Sequence, residues 1–222
     1  MSSPLVSIIT PTTGSPSFLK LLKSIYEQDV DFEHIVLWDG KLDDNWEVCP
    51  LDIRDDCHWE KSYNIELPEG FVKSNAPGSS LRAVGLMAAK GKYVTFADSD
   101  VWYEKNHLNN LLKAVEGRGW AFCRRKIWAK NNCLGTDHFE SVGNDACKKV
   151  PYILVDNNTM IFKREYGVSA ACLYRETTEY NDDRLMTEFL YKYAGEPCVS
   201  LSATVNQVCP KRLEKMFNEN CS

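Results

Sequence analysis

Between Leu5 and Trp38 the chain spells out a strand, an amphipathic helix and a second strand, and that order leaves few folds open. Leu5-Val6-Ser7-Ile8-Ile9-Thr10 is an apolar run closed by Pro11 and the turn-forming Thr-Thr-Gly-Ser, which reads as a buried strand. Ser15 can cap a helix with Pro16 at its first position. Phe18, Leu21, Leu22, Ile25 and Tyr26 then recur at i, i+3, i+4, i+7 and i+8, the stripe of a helix packed on one side. His34-Ile35-Val36-Leu37-Trp38 is the second strand, and it ends in Asp39-Gly40. Strand, helix and strand within about 35 residues read as a βαβ unit, so the pairing is expected to be parallel.

The alternation continues. Tyr63-Asn64-Ile65-Glu66-Leu67 reads as a short strand within the polar, broken stretch 41–77. Ser79 or Ser80 starts a helix through Leu81, Val84, Leu86, Met87 and Ala88, with Gly91 as its stop. Asn106 can cap a further helix carrying Leu108, Leu111, Leu112 and Val115, with Gly117 beyond its end. Later signals are sparser: strands at Trp120–Cys123, Lys126–Ala129 and Thr159–Phe162, and a helix from Asp182 to Tyr193 bearing Leu185, Phe189 and Leu190, closed by Gly195 and Pro197. An α/β layered fold follows, with no internal repeat and no linker.

One strand is chemically unlike the others. Lys92-Tyr93-Val94-Thr95-Phe96-Ala97 runs directly into Asp98-Ser99-Asp100. In extended backbone, side chains at i and i+2 share a side, so Asp98 and Asp100 can aim at one point past the strand's end. Two hard oxygen donors suit Mg²⁺ or Mn²⁺, which completes its shell with substrate phosphates. Turns after strands are themselves rich in Asp and Ser, so the triplet alone is a weak signal. Its weight comes from company: Thr10, Asp39 and Asp98/Asp100 all fall at strand ends, where open parallel sheets bind ligands.

Composition narrows the rest. With 222 residues, 44% hydrophobic and 26% charged, the chain can bury a sizeable core. A net charge of −5 argues against a nucleic-acid binder. The basic run Arg124-Arg125-Lys126 reads as a solvated face. Nine cysteines without a CxxC pair or a secretory segment point to reduced thiols and a cytoplasmic location, with a peripheral membrane association left open. Cys123, Cys133, His138 and Cys147 match no zinc spacing. No apolar run reaches the ~20 residues of a membrane span.

The ordered series of motifs resembles family 2 glycosyltransferases with the GT-A fold. Val6–Thr12 is similar to their opening strand and Asp31–Gly40 to their second strand and its acidic turn. Ser80–Leu86 with Ala89–Val94 resembles the helix and strand leading to the DxD motif, where Asp98-Ser99-Asp100 stands; Asn158–Glu165 resembles the strand entering the acceptor side. The likeness covers residues 5–112 and, more loosely, 155–195. It implies a single GT-A domain over 1–222, with a Rossmann-like, mixed and mostly parallel sheet, a nucleotide-sugar half (1–104) and an acceptor half (105–222).

The resemblance further implies a metal-dependent, inverting transfer of a sugar from a UDP-sugar to a hydroxyl on a glycan, lipid or protein. Thr10 and Asp39 would contact the base, Arg82 would lie near the nucleotide and Asp98 near the ribose or metal, with Pro11 and Ser99 as further nucleotide-binding positions. Asp98 and Asp100 would ligate Mn²⁺ or Mg²⁺, with His138 as a further candidate ligand; His107, in a helix, reads as surface. Glu179-Tyr180-Asn181-Asp182-Asp183-Arg184-Leu185 resembles the acidic motif that supplies the catalytic base, with Asp183 first, Asp182 next and Glu179 third. The same acids would also favour a helix amino terminus through the macrodipole alone. Trp38 replaces the first Asp of the family's usual pair, Ala83 stands where Asn is frequent, and Val101 where a further Asp is common. Rival readings are a nucleotidyltransferase, an inactive nucleotide-sugar or glycan-binding module, and a retaining enzyme on the same fold.

Overall fold

A computed structural model of the chain describes residues 3–38, 62–66, 78–138, 141–143, 154–176, 182–209 and 217. Asp39, Cys147 and Glu179 lie outside the described residues. In chain order the elements are β1 (Val6–Thr12), α1 (Ser17–Tyr26), β2 (Phe32–Trp38), β3 (Ser62–Glu66), α2 (Ser79–Ala88), β4 (Tyr93–Phe96), β5 (Val101–Tyr103) and α3 (His107–Val115). They continue with β6 (Trp120–Ala129), β7 (Asn132–Thr136), a 3₁₀ turn (Asn157–Thr159), β8 (Met160–Lys163), α4 (Arg164–Glu176), α5 (Asp182–Ala194) and β9 (Cys198–Val208).

Among the described residues one mixed sheet runs in the order β3-β2-β1-β4-β8-β6-β9-β5, with β7 attached to β6. β3, β2, β1 and β4 are mutually parallel, so their carboxyl ends form one rim. β8 then pairs antiparallel with β4, Thr95 opposite Ile161. That reversal decides the site: it brings the segment entering β8 to the rim where β4 ends. The two halves expected from sequence share this sheet, since β5 (residues 101–103) pairs with β9 near the carboxyl terminus.

Both sheet faces are covered. Val6, Ile8, Val36 and Trp38 pack with Phe18, Leu21, Leu22 and Ile25 of α1 and Leu108, Leu111 and Val115 of α3. On the other face Ile9, Ile35, Leu37, Val94 and Phe96 meet Leu81 and Leu86 of α2, Ala170 and Tyr174 of α4, and Met186 and Leu190 of α5. Burial on both faces explains why β1 and β2 read as continuous apolar runs rather than alternating ones.

Several local expectations change. β1 continues through Pro11, which pairs with Leu37. Ile9 O accepts from Ala97 N, so odd residues of β1 face β4, and β4 has ended by the level of Pro11; the missing N–H costs no ladder bond. Ser15 does not cap α1 with its side chain; its hydroxyl pairs with Ser17 Oγ instead. Gly91 is no left-handed helix stop, because α2 ends at Ala88. A Cβ there would lie 2.5 Å from Ser7 N, so glycine permits a close approach to β1. Glu33 Oε1 pins the same corner, accepting from Ser7 Oγ (2.6 Å), Lys90 N (2.6 Å) and Gly91 N (3.2 Å).

Candidate active site at the carboxyl rim

Arg82 lies in the first turn of α2 with its side chain 9% exposed. It reaches two carboxylates from distant parts of the chain: Nη2 is 2.5 Å from Asp98 Oδ1, and Nη1 is 2.6 Å from Asp182 Oδ2. Its guanidinium also lies over the Phe96 ring, 5.8 Å from the centroid. Ser79 Oγ donates to Asp182 Oδ2 as well (3.2 Å). Burial works against the Arg82 charge, but Asp98 and Asp182, with Tyr174 and Asp183 behind them, outweigh it and hold the group more firmly protonated than a free arginine. One cation thus ties the Asp98–Asp100 loop to the amino terminus of α5.

Asp98 is fixed from a second side. Asn158 Oδ1 accepts from Asp98 N (2.5 Å), and Asn158 Nδ2 donates to Asp98 Oδ2 (3.0 Å). Behind Asn158 stands Asp156, whose Oδ1 accepts from both Asn158 N and Asn158 Nδ2 at 2.8 Å. Asp156 Oδ2 is paired with Arg125 Nη1. Arg125, far from being part of a solvated basic run, is 2% exposed and is also bonded by Asp137 (2.8 Å) and Gln207 Oε1 (2.6 Å).

Asp183 follows Asp182 at the start of α5 and is only partly exposed. Asn157 N donates to its Oδ1 (3.3 Å). Burial, then the charges of Asp156 and Asp182, push its carboxyl well above the usual carboxylate range, against the pull of Arg82. Asp182, by contrast, pairs directly with Arg82 Nη1 and accepts from Ser79 Oγ, whereas Asp183 accepts from a backbone N–H. The two neighbouring acids are therefore inequivalent.

Asp100 is an exposed residue, yet partial enclosure of its carboxyl, with Asp98 and Asp156 nearby, pushes it up to about 6; its own backbone N–H and Arg82 act the other way. A site where clustered carboxylates resist ionising together is one that a divalent cation relieves. Asp98 uses one lone pair on each oxygen for Arg82 and Asn158, which leaves acceptor capacity on both. The donor set at Asp98 and Asp100 therefore fits a hard cation. Among the described residues, no three His, Cys, Asp or Glu side chains form a complete metal cluster.

Other expected site residues lie differently. Thr10 is fully buried, its hydroxyl 2.9 Å from His34 Nε2. Pro11 is buried in β1, and Ser99 is half-buried beside Asp98. His138 is exposed after β7, and its Nδ1 lies 2.8 Å from Arg124 Nη1. Arginine only donates, so this contact needs Nδ1 as its acceptor. His107 is buried, not on the surface: it stacks on Tyr103 (4.0 Å between centroids) and bonds Thr204 Oγ1. Trp120 and Tyr103 are core residues, while Trp102 and Trp128 are half-buried.

Asp156, Asn158 and Arg125 had no separate role in the sequence reading. The available signal was Asp156-Asn157-Asn158-Thr159 directly before an apolar strand, since Asp bonding the N–H two residues on is an Asx turn. Nothing in the spacing announces Arg125 as their partner.

Comparison with known proteins agrees with this fold. TarS of Staphylococcus aureus, a poly(ribitol-phosphate) β-N-acetylglucosaminyltransferase, has a crystal structure of its residues 1–349 that superposes with a TM-score of 0.68. At 20% identity the match spans 95% of this chain and 62% of that one, and it establishes a shared GT-A fold. The UDP complex of the same protein gives 0.69. The glycosyltransferase GlyA of Streptococcus pneumoniae is 28% identical over 163 residues, 72% of this chain and 21% of that protein; GlyG of the same organism is 23% identical over 150 residues, 65% and 46% respectively. This chain thus spans less than half the length of either relative. Residues 7–127, more than half of the sequence and including α2 and Asp98–Asp100, match the Glycosyl transferase family 2 description, and the chain belongs to that family.

Proposed function

We propose that this protein transfers a sugar from a UDP-sugar to a hydroxyl group of a glycan, lipid or protein acceptor, with inversion at the anomeric carbon. One observation carries the reading: Asp98 of the DxD loop and Asp182 of the acidic helix start converge on a single arginine, Arg82, at the carboxyl rim of the sheet. The solved complexes of TarS with UDP and with UDP-GlcNAc support the choice of donor.

In this reading Asp183 is the general base. It takes the proton of the acceptor hydroxyl while that oxygen attacks the anomeric carbon; the bond to the UDP oxygen breaks and its electron pair leaves with the diphosphate. A base benefits from proton affinity brought towards the working pH, and burial with neighbouring acids supplies it. Asp182, paired directly with Arg82, serves to orient the arginine. Arg82 keeps Asp98 turned to the rim. Asp98 and Asp100 would hold a Mn²⁺ or Mg²⁺ ion, which would supply charge neutralisation for the departing diphosphate. His138 remains a proposed further ligand, although among the described residues it forms no three-residue metal cluster with Asp98 and Asp100. Asp39 and Thr10 remain the proposed base-reading positions, and Thr10 would contribute through its backbone because its hydroxyl is taken by His34.

No helix among the described residues is long and apolar enough to cross a membrane. A donor-hydrolysis screen across UDP-, GDP- and dTDP-sugars, with Mn²⁺ and with chelator, tests the reading. Turnover of a UDP-sugar that collapses in chelator is expected. Turnover unaffected by chelator would remove the cation, and loss of UDP-sugars in favour of another donor would remove the nucleotide assignment.

A further inference from the structure

A single short turn, Asp156–Thr159, touches both acids that the proposed reaction depends on. Asn157 N bonds Asp183 Oδ1, and the Asn158 carboxamide bonds both the backbone and the carboxylate of Asp98. The Asn158 amide has one orientation open to it. Its Nδ2 faces two carboxylate oxygens, Asp98 Oδ2 and Asp156 Oδ1, and its Oδ1 faces a backbone N–H. Flipping it would set an oxygen against two carboxylates and an NH₂ against a donor. Asp156 is in turn held by Arg125, which is buried and anchored to β7's end and β9 through Asp137 and Gln207.

We propose that Asn158 is a positioning residue: oriented by Asp156 and Arg125, it fixes Asp98 in the rotamer that presents the carboxylate to a cation-bound nucleotide diphosphate. The inference rests on the donor reading above. Its physical content is a two-point lock. Arg82 restrains Asp98 Oδ1, Asn158 restrains Oδ2 and the backbone N–H, and acceptor capacity is left on both carboxylate oxygens. Partners that orient a metal-binding carboxylate contribute roughly 10–100-fold to metal affinity. Topology also explains why this residue serves. β8 runs antiparallel to β4, so the turn before β8 arrives beside the end of β4.

Calorimetric titration of UDP into the full chain, once with Mn²⁺ and once with EDTA, tests the proposal through the gain in UDP affinity that Mn²⁺ gives. In Asn158→Ala that gain is expected to shrink about tenfold or more in the folded protein, with binding stoichiometry near wild type and a melting temperature lowered by the lost hydrogen bonds. Asn158→Asp is the same size and keeps the acceptor for Asp98 N–H, but it turns an anionic oxygen on two carboxylates. It is expected to lose the gain at least as fully, and it carries the test if the alanine variant does not fold. A purely structural role would lower stoichiometry and melting temperature while the folded fraction kept the wild-type gain, and that result overturns the inference alone. A wild-type protein that binds no UDP, or binds it equally with and without Mn²⁺, overturns the donor and cation reading instead.

Discussion

Replacing Arg82 by Met keeps an apolar stem of similar length but strands two acids that now share one cation. The loss can be sized from the contacts. Two charge-assisted hydrogen bonds go, at 2.5 Å to Asp98 and 2.6 Å to Asp182. Removing one member of a buried ion pair costs about 3–5 kcal/mol when the orphaned charge is fully enclosed. Here the orphans keep some water, Asp98 being 29% exposed and Asp182 17%, and each retains a donor in Asn158 or Ser79. That places the expected loss at about 2–4 kcal/mol. For a chain of this size the melting temperature then falls by about 5–12 °C. Thermal unfolding at neutral pH reads the number. Repeating it in high salt tests the cause, because enclosed pairs are screened less than surface ones. Adding Asp182→Asn removes one stranded charge together with its lost partner, so the double variant should be more stable than the two single losses predict by about 1 kcal/mol or more. An Arg82→Met protein that melts within a degree or two of wild type, or a strictly additive double variant, would refute the idea that this arginine clamps the rim.

The other predictions concern the acids and the amino-terminal corner. Asp183→Asn should abolish transfer while leaving UDP affinity nearly intact. Its stability should carry a sign opposite to that of a typical lost ion pair. The folded-state carboxyl is raised, so the protonated form is the stable one, and wild type loses stability as pH rises above the unfolded value of 3.8. The asparagine variant escapes that loss, so it should match wild type near pH 4 and melt higher at pH 8; a variant that melts lower at pH 8 would count against a raised Asp183. Asp182→Asn removes one of the charges that raise Asp183 and should move the acid limb of the pH–rate profile to lower pH; an unmoved limb would assign the base elsewhere. Gly91→Ala places a methyl 2.5 Å from Ser7 N and should destabilise by about 1–3 kcal/mol without changing UDP affinity, which unfolding and titration read separately.

The parts of the fold legible in the sequence were those governed by local periodicity. α1, β1, β2 and α3 fell close to their observed bounds because each buries a stripe or a run that the sequence displays directly. What escaped was set by pairing across long separations. β5 is three residues long and owes its existence to β9, more than a hundred positions away. Trp120–Cys123 and Lys126–Ala129 read as two strands but form one, β6, because β9 pairs along the whole length and absorbs the irregularity at Arg124 as register shifts. α4 was missed because its polar residues dilute the apolar stripe that packs Ala170 and Tyr174 against α2's face of the sheet.

The candidate site divides the same way. Asp98, Asp100, Asp182 and Asp183 stand at chain positions where acids terminate a strand or begin a helix, and such positions are visible in sequence. That Arg82 faces both pairs was not, since nothing local states that α2 and α5 meet at the rim. The Arg125–Asp156–Asn158 relay was invisible for a related reason. A buried arginine and a solvated one look alike until the carboxylates that enclose it are placed.

A crystal of the wild-type protein soaked with UDP and Mn²⁺ bears most directly on the central claim. The account predicts manganese bound by Asp98 and Asp100, the diphosphate completing its shell at the carboxyl rim, and the Asp183 carboxyl open to the acceptor side. A nucleotide lodged away from β1 and β4, or a metal that leaves Asp98 paired only with Arg82 and Asn158, would contradict it.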